Sequence, residues 1–162
     1  MAHLYAAIVA QARRPEFFID SGVPDTVEGR FELIALHGWL VMKRLEQGGR
    51  DAAPFNQALF DHMFADIDRS LRELGVGDLG VGKQVKDMAQ HFYGRAAAYG
   101  AGLAADADPA ALAAAIDRNL YGSTLPDRAQ VAAMAAYVRR QVAHLAAVPL
   151  ALLLGGEVNF AP

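Results

Sequence analysis

The chain contains no cysteine among its 162 residues. It therefore cannot form a disulfide, hold a metal ion through thiolates or use a cysteine nucleophile, which excludes several classes of enzyme. The net charge is also small, −3 from 15 Lys and Arg against 18 Asp and Glu. Because so small a charge gives no bulk attraction to nucleic acid, we expect no direct binding to DNA.

A hydrophobic run long enough to cross a membrane is lacking as well. The most apolar segment, residues 145–154, is ten residues long and contains Pro149, whereas a membrane-spanning helix needs about 20 residues. We interpret this segment as part of the core or as a docking segment, with a membrane contact as the alternative. The first residues show no signal-peptide pattern. We therefore expect a cytoplasmic location, with peripheral contact at the inner membrane left open.

The sequence does contain a recurring period of 3.6 residues, without the period of two that is typical of strands. This pattern predicts an all-α fold, a single compact multi-helix domain of about six helices with short loops. The domain is expected to span residues 1–162, with a core over about 3–148 and an apolar C-terminal tail over 149–162. The predicted helices cover residues 4–13, 27–47, 55–74, 81–103, 109–121 and 126–148. Asp25 or Thr26 is expected to cap the second helix, and Gly48 and Gly49 to end it.

Helix 27–47 has apolar residues on both sides, so it is predicted to lie at the centre of the fold. Between these sides Arg30, His37 and Arg44 recur every seven residues and form a basic stripe about 20 Å long. One interpretation is an internal polar seam with the next long helix; the others are a solvated stripe and a surface that receives a partner. The next helix offers three carboxylates for such a seam, those of Asp61, Asp66 and Asp68.

The glycine-rich loop after helix 55–74 nearly matches two phosphate-binding motifs. Residues 75–80 fit GxGxxG, and residues 77–83 fit GxxxxGK. However, Gln84 stands where a P-loop needs a serine or threonine for magnesium, and a helix rather than a strand leads into the loop. We therefore interpret Gly75 as a helix C-cap and expect no nucleotide cofactor.

Two pairs of metal-binding residue types share helix faces, since four positions separate His62 from Asp66 and Asp87 from His91. The Glu-x-x-His motif of di-iron helical bundles is absent from the sequence. We interpret both as exposed polar pairs and expect no metal and no cofactor. The alternative from a different functional class is a helical cofactor-binding or di-metal enzyme.

Several blocks of the sequence, taken in their order and spacing, resemble a known family. They are VPDTVEGRFEL at residues 23–33, FADIDRSLRELGVGDLGVGKQVKDM at 64–88 and HFYGRAAAY at 91–99. In these blocks the chain is similar to the ubiquinol-cytochrome c chaperone family, and the resemblance covers roughly residues 3–145. It resembles a short bacterial version that has the helical domain alone.

The resemblance implies an assembly chaperone for the respiratory cytochrome bc complex, ubiquinol-cytochrome c reductase. Such a protein binds newly made cytochrome b, or another membrane-protein client, without catalysis. Eukaryotic members of the family act with a small partner protein and near the ribosome's exit tunnel, so the resemblance suggests these as further partners. A structural module that tethers the complex or a ribosome is a second alternative.

The matching blocks also contain candidate residues for binding a client or partner. These are Lys83, Lys86, Tyr93, Arg95, Arg30, Asp66, Asp68 and Arg69. Our hypothesis is that Lys83, Lys86 and Tyr93 help to hold an amphipathic or nascent membrane segment, because an aromatic side chain with a polar tip suits an interface. The ordinary alternative is that Tyr93 covers a neighbouring helix and both lysines are solvated. Gly94, inside a helix, suggests close approach by another helix. No catalytic residue is predicted.

Overall fold

Helices form all the regular secondary structure in the part of the chain that the structure describes. The computed structural model describes residues 1–75, 77–122 and 124–162, with the backbone alone at residues 78 and 79. The helices are α1 (Ala2–Ala12), α2 (Glu16–Ile19), α3 (Val27–Glu46), α4 (Gly49–Glu73), α5 (Asp78–Gly102), α6 (Ala111–Ile116), α7 (Arg128–Ala147) and α8 (Leu150–Leu154). A π-helical segment, Asp117–Tyr121, continues α6. The predicted all-α fold is confirmed.

Local sequence signals set the ends of the long helices. Thr26, rather than Asp25, caps α3, because its Oγ1 accepts a hydrogen bond from the backbone N–H of Gly29 at 3.1 Å. Gly29 lies so close to Pro24 that an added Cβ would come within 2.0 Å of the Pro24 carbonyl oxygen. Gly75 follows the end of α4 with a φ of +89°, a conformation that favours glycine. The predicted glycine C-cap after α4 is therefore confirmed.

α4 begins earlier than the sequence predicts. We expected a start at residue 55, directly after Pro54, but the helix begins at Gly49 and contains Pro54 in its second turn. Pro54 is the sixth residue of α4, so it removes the one N–H that would donate to the carbonyl oxygen of Arg50, and the helix continues without that hydrogen bond. The predicted start is wrong because a proline near the beginning of a helix does not have to mark its first residue.

α3 lies at the centre of the fold. It packs against α1, α4, α5, α7 and α8. Five of its apolar side chains are at most 1% exposed, those of Leu33, Leu36, Leu40, Val41 and Leu45. Since these residues lie on different sides of the helix, the observed burial confirms the predicted central position.

The predicted polar seam between α3 and α4 is wrong. His37 is fully buried, and its Nε2 lies 2.7 Å from the hydroxyl oxygen of Tyr137 on α7. Arg44 donates from Nε and Nη2 to the carbonyl oxygen of Val148, at 3.2 and 2.9 Å. Arg30 instead makes an exposed ion pair with Asp25, at 2.6 Å. Two residues of the stripe therefore face α7 and its C-terminal end, which supply hydroxyl and carbonyl partners in place of carboxylates.

The apolar segment 145–154 forms the end of α7 and all of α8. Leu145, Val148 and Leu153 are buried, whereas Leu152 and Leu154 are partly exposed. Three of its apolar side chains therefore belong to the core. Within the described ranges, no helix combines the length and the apolar character needed to cross a membrane.

Candidate functional site

An aromatic cluster joins α4 to α5 and runs from the core to the surface. Phe64 and Phe92 are buried, and their ring centroids lie 6.0 Å apart in an edge-to-face arrangement. Phe60 contacts Phe92 at 5.6 Å and stacks on Tyr93 at 5.2 Å, with an angle of 26° between the latter two ring planes. Tyr93 itself is 58% exposed. The cluster thus presents a stacked aromatic pair at its outer end.

A groove of about 210 Å³ opens beside this pair. Its apolar walls come from three helices: Trp39 and Met42 on α3, Phe60 on α4, and Phe92, Tyr93 and Ala96 on α5. Sites that enclose a cofactor or drug-sized molecule usually measure about 300 to 1,000 Å³. The groove is therefore better suited to a few side chains of a bound protein segment than to a whole cofactor.

Asn56 gives the groove an unused hydrogen-bonding group. It lines the groove wall, and its Oδ1 atom is buried without a hydrogen-bond partner among the described residues. A buried acceptor without a hydrogen-bond partner lowers the free energy of unfolding by about 1 to 3 kcal/mol. A donor on a bound segment, or a water molecule, would remove that cost.

The two predicted lysines lie on the open side of α5. Lys83 and Lys86 are both exposed, and neither makes an ion pair with any side chain that the structure describes. Seven positions separate Lys86 from Tyr93, so the two residues share one side of the helix about 10 Å apart. Three of the predicted residues, Lys83, Lys86 and Tyr93, are therefore exposed on the helix that borders the groove.

Arg95 has a different environment. Its guanidinium forms an ion pair with Glu32 of α3 through two hydrogen bonds, with Nε 2.5 Å from Oε2 and Nη2 bonded to Oε1. The side chains of Arg95 and Glu32 are only 18% and 11% exposed. Burial raises the pKa of the Glu32 carboxyl, and the adjacent guanidinium opposes that rise. Arg95 therefore connects α5 to α3 and does not line the groove.

The remaining predicted residues do not come together with the groove. Asp66 on α4 accepts a hydrogen bond from the hydroxyl of Tyr5 on α1 at 3.1 Å and lies 3.7 Å from Arg69. Asp68 pairs with Arg72 one turn later at 2.7 Å. As described above, Arg30 pairs with Asp25. These four charges make local or interhelical contacts at separate places on the surface.

Gly94 does not mark a close helix contact. It is exposed, and a Cβ added there would meet no described atom within 4 Å other than those of its own helix. The expectation of a close approach is wrong, because the apolar side of α5 that packs against α4 carries Phe92 rather than Gly94.

Sequence reasoning missed Trp39, Asn56 and Phe60 as groove residues, because an aromatic residue on the apolar face of a helix is equally compatible with a place in the core. A usable signal exists. Asn56 precedes Phe60 by four positions and so lies one turn away on the apolar face of α4. A polar residue on an apolar face indicates either a buried hydrogen bond or an opening to solvent.

The histidine and aspartate pairs give no sign of a metal centre. Across the described residues, no three His, Asp or Glu side chains are grouped so that they could hold a metal ion. His62 instead lies edge-on to the ring of Tyr5 at 5.2 Å, and Asp66 accepts the hydrogen bond of the same tyrosine.

An all-α fold with an aromatic groove has the features of a helical protein-binding domain. The family model for the ubiquinol-cytochrome C chaperone matches residues 20–160, and the chain belongs to this family. This match covers most of the chain and confirms the resemblance of the sequence blocks.

Individual relatives agree with the family assignment. Ubiquinol-cytochrome c reductase complex assembly factor 1 of Mus musculus is 29% identical over 160 residues, which cover 98% of this chain and 54% of that protein. Protein CBP3, mitochondrial, of Saccharomyces cerevisiae is 28% identical over 90% of this chain and 44% of its own length. The chain thus spans about half the length of these relatives.

A solved structure has the same fold. The crystal structure of the Cbp3 homolog from Brucella abortus superimposes with a TM-score of 0.87 and 38% sequence identity. The match covers 99% of this chain and 88% of the other. The helical arrangement described above is therefore shared with a Cbp3 homolog over nearly its whole extent.

Proposed function

We propose that this chain is an assembly chaperone for the respiratory cytochrome bc complex, and that it binds newly made cytochrome b without catalysis. The proposal is supported by the family, which is described as a chaperone, and by relatives that are named as assembly factors of ubiquinol-cytochrome c reductase. Holding a client requires a surface that accepts apolar side chains reversibly, and the groove between α4 and α5 has that character.

The observation that carries the choice of site is the exposed stack of Tyr93 on Phe60. Aromatic side chains are enriched at protein interfaces because they provide a large contact area with few rotatable bonds. Asn56 adds an unpaired acceptor within the groove, which a donor of the client would satisfy. The proposed site therefore offers an apolar contact and a directional polar contact to one segment.

Lys83 and Lys86 extend the proposed site along α5. Their ammonium groups pair with no side chain that the structure describes, so they would attract acidic residues that flank an apolar client segment; this contribution is screened at physiological salt. We expect them to influence mainly the rate of association, whereas the aromatic stack determines how long the client stays bound.

The test is a pull-down of the tagged native protein from its own cells in mild detergent, with mass spectrometry of the eluate. Cytochrome b is expected to be enriched over other membrane proteins, and Tyr93→Ala is expected to reduce the recovered cytochrome b about tenfold. Leu125→Ala is the matched control, because Leu125 is 98% exposed and does not line the groove. It should leave recovery unchanged.

Three outcomes would contradict the proposal. Without any enrichment of cytochrome b, the client assignment fails. A visible spectrum that shows a bound chromophore or metal would favour a cofactor-binding protein. Stoichiometric presence in the finished complex would favour a structural tether, because a chaperone leaves its client once assembly is complete.

A further inference from the structure

The walls of the groove between α4 and α5 carry hydrogen-bond acceptors that have no donor. Glu46 on α3 lines the groove, is exposed and forms no ion pair with any side chain that the structure describes. Asn56 has a buried Oδ1 without a partner among the described residues. Gln57 donates from Nε2 to Asp61 at 2.8 Å, so its donor is engaged while its Oε1 can still accept. The ligand that these groups complement is therefore a donor.

The charge at the groove has one sign. Among the described residues that line it, Glu46 is the one with a formal charge. A second carboxylate, that of Asp61, is bonded to the groove wall. Lys43 lies one turn before Glu46 but lines the contact with α7 instead, and Lys86 is about 10 Å away along α5, farther than the screening length of about 8 Å at physiological salt. The groove therefore attracts a cation rather than an anion.

Aromatic rings form the remaining walls. Trp39, Phe60, Phe92 and Tyr93 line the groove, and Phe60 stacks on one face of Tyr93. Since Tyr93 is more than half exposed, its other face is open to a ligand. The face of an aromatic ring attracts a cation placed within about 6 Å of its centroid. The chain already shows such a contact at the groove wall, because the Nζ atom of Lys43 lies 5.9 Å from the ring centroid of Trp39.

Arginine fits this combination of groups better than lysine does. Its guanidinium is flat, so it can stack on an aromatic face while its edge donates hydrogen bonds. It has several N–H donors and no acceptor, which complements a groove whose free groups accept. A lysine ammonium is a compact charge without a face to stack. The volume of about 210 Å³ suits one long side chain.

We propose that the groove between α4 and α5 binds an arginine side chain of the client segment, stacked on Tyr93 and paired with the carboxylate of Glu46. This inference rests on the proposed function for the identity of the client, whereas the chemistry of the site rests on the groove itself. The expected client segment is therefore one that presents an arginine between apolar residues. Asn56 and Gln57 offer further acceptors to the N–H groups of the guanidinium.

The experiment uses the purified full chain and two capped five-residue peptides, each with a central residue between two leucines and with alanine at both ends. The central residue is arginine in one peptide and citrulline, its neutral analogue of the same shape, in the other. Trp39 is the single tryptophan of the chain, so its indole N–H gives one NMR signal that reports on the groove. At millimolar concentrations the arginine peptide should shift this signal to saturation and bind about tenfold more tightly than the citrulline peptide.

Substitutions separate the two contacts of the arginine. Glu46→Gln removes the charge at nearly constant volume and should weaken binding of the arginine peptide about threefold, with no effect on the citrulline peptide. Tyr93→Leu keeps an apolar side chain but removes the aromatic face, which should also weaken binding of the arginine peptide about threefold. Glu28→Gln is the matched control, because Glu28 is exposed on the same helix about 27 Å from Glu46 and does not line the groove. It should leave the affinity unchanged.

Several results would overturn the proposal. Equal affinity for the two peptides would make the groove a site for apolar side chains, and this comparison needs the wild type alone. An arginine affinity that Glu46→Gln leaves unchanged would remove the ion pair. Absence of a Trp39 shift with either peptide would show that the groove admits no side chain.

The pull-down of cytochrome b is scored separately from these titrations. Arginine binding without enrichment of cytochrome b would support the site and contradict the client assignment. Enrichment of cytochrome b without a preference for arginine would support the client assignment and contradict the site.

Discussion

The contact between α3 and α7 and the groove between α4 and α5 are both rich in aromatic residues, but they differ in how their polar groups are satisfied. In the first, His37 Nδ1 lies 2.7 Å from the carbonyl oxygen of Leu33, and Nε2 lies 2.7 Å from the hydroxyl of Tyr137. Gln11 donates to the same hydroxyl at 3.0 Å. Each of these groups has a partner, so this region is closed.

Which group donates and which accepts in each hydrogen bond of this closed network follows from one carbonyl group. The Leu33 oxygen only accepts, so Nδ1 of His37 donates and the neutral ring must accept at Nε2. Tyr137 therefore donates to His37 and accepts from Gln11. Burial favours this neutral ring and lowers the pKa of His37 to about 4.

The groove shows the opposite arrangement. The Oδ1 atom of Asn56 is buried without a partner in the described structure, and Tyr93 is more than half exposed. A satisfied network specifies one packing arrangement, whereas an unpaired group and an exposed ring gain stability when something binds. The comparison indicates that the first region holds the fold together, whereas the second has the open, unsatisfied groups on which our proposal of client binding rests.

The strongest way to test this difference is to remove the imidazole at the centre of the closed region. His37→Ala deletes a ring that contacts Phe17, Tyr137 and Phe160. By analogy with other large-to-small core substitutions, we expect a loss of about 3 to 5 kcal/mol in the free energy of unfolding. Urea denaturation measures this change.

Tyr137→Phe is the matched control for the hydrogen bonds alone. It keeps the ring but leaves His37 Nε2 without its donor, which should cost about 1 to 3 kcal/mol. A cost as large as that of His37→Ala would mean that the polar network, rather than packing, dominates this contact.

A second substitution tests whether Arg95 belongs to the closed or the open region. Arg95→Ala leaves the Glu32 carboxylate buried and unpaired, so we expect a loss of about 3 kcal/mol in the free energy of unfolding. Replacing both partners, Glu32→Gln with Arg95→Met, should recover part of it. Unchanged stability together with lost client binding would instead return Arg95 to the binding surface.

Acid should weaken the closed region through His37. Its pKa in the folded state, about 4, lies below the ordinary histidine value of 6.5, so the unfolded chain binds a proton first as the pH falls. The contribution is fully present above pH 6.5 and is lost progressively down to pH 4, a total of about 3 kcal/mol. The measurement is the free energy of unfolding against pH for the wild type and for His37→Leu. Parallel curves would contradict the prediction, because the variant has no group to titrate at this position.

The positions of the helices could be predicted from the sequence, but which helices pack against each other could not, for a physical reason. Helical periodicity and caps such as Thr26 are local, so they can be recognised without knowing the fold. The seven-residue spacing of His37 and Arg44 was also local, but it shows only that these residues share a face. Whether α4 or α7 covers that face depends on the packing of the whole chain.

Part of the site was nevertheless predictable. Nine positions separate Lys86 from Arg95, which places them about 180° apart on a helix, so they could not belong to one surface of α5. The sequence also offers the polar signal of Asn56 on an apolar face. By contrast, the two hydrogen bonds of the buried Gln141 side chain go to the backbone of Ala161, and backbone groups are present at every residue, so these contacts leave no sequence pattern.

The smallest expected effect distinguishes two glycines in the C-terminal half of α5. Gly94 has open space around it, whereas a Cβ at Gly102 would come within 2.6 Å of the backbone of Leu112 on α6. Alanine is favoured over glycine within helices, so Gly94→Ala should raise the free energy of unfolding by about 0.5 to 1 kcal/mol. Gly102→Ala should lower it, because the backbone of α6 must move to admit the methyl group.

Thermal unfolding of the two variants checks both signs. Gly94 adjoins Tyr93, so client recovery should be measured for the same pair. A Gly94→Ala variant that is more stable but recovers less cytochrome b would show that this glycine leaves room for the client. The described fold itself has space for a methyl group at this position. Destabilisation by Gly94→Ala would instead mean that α5 packs more closely here than the open groove allows.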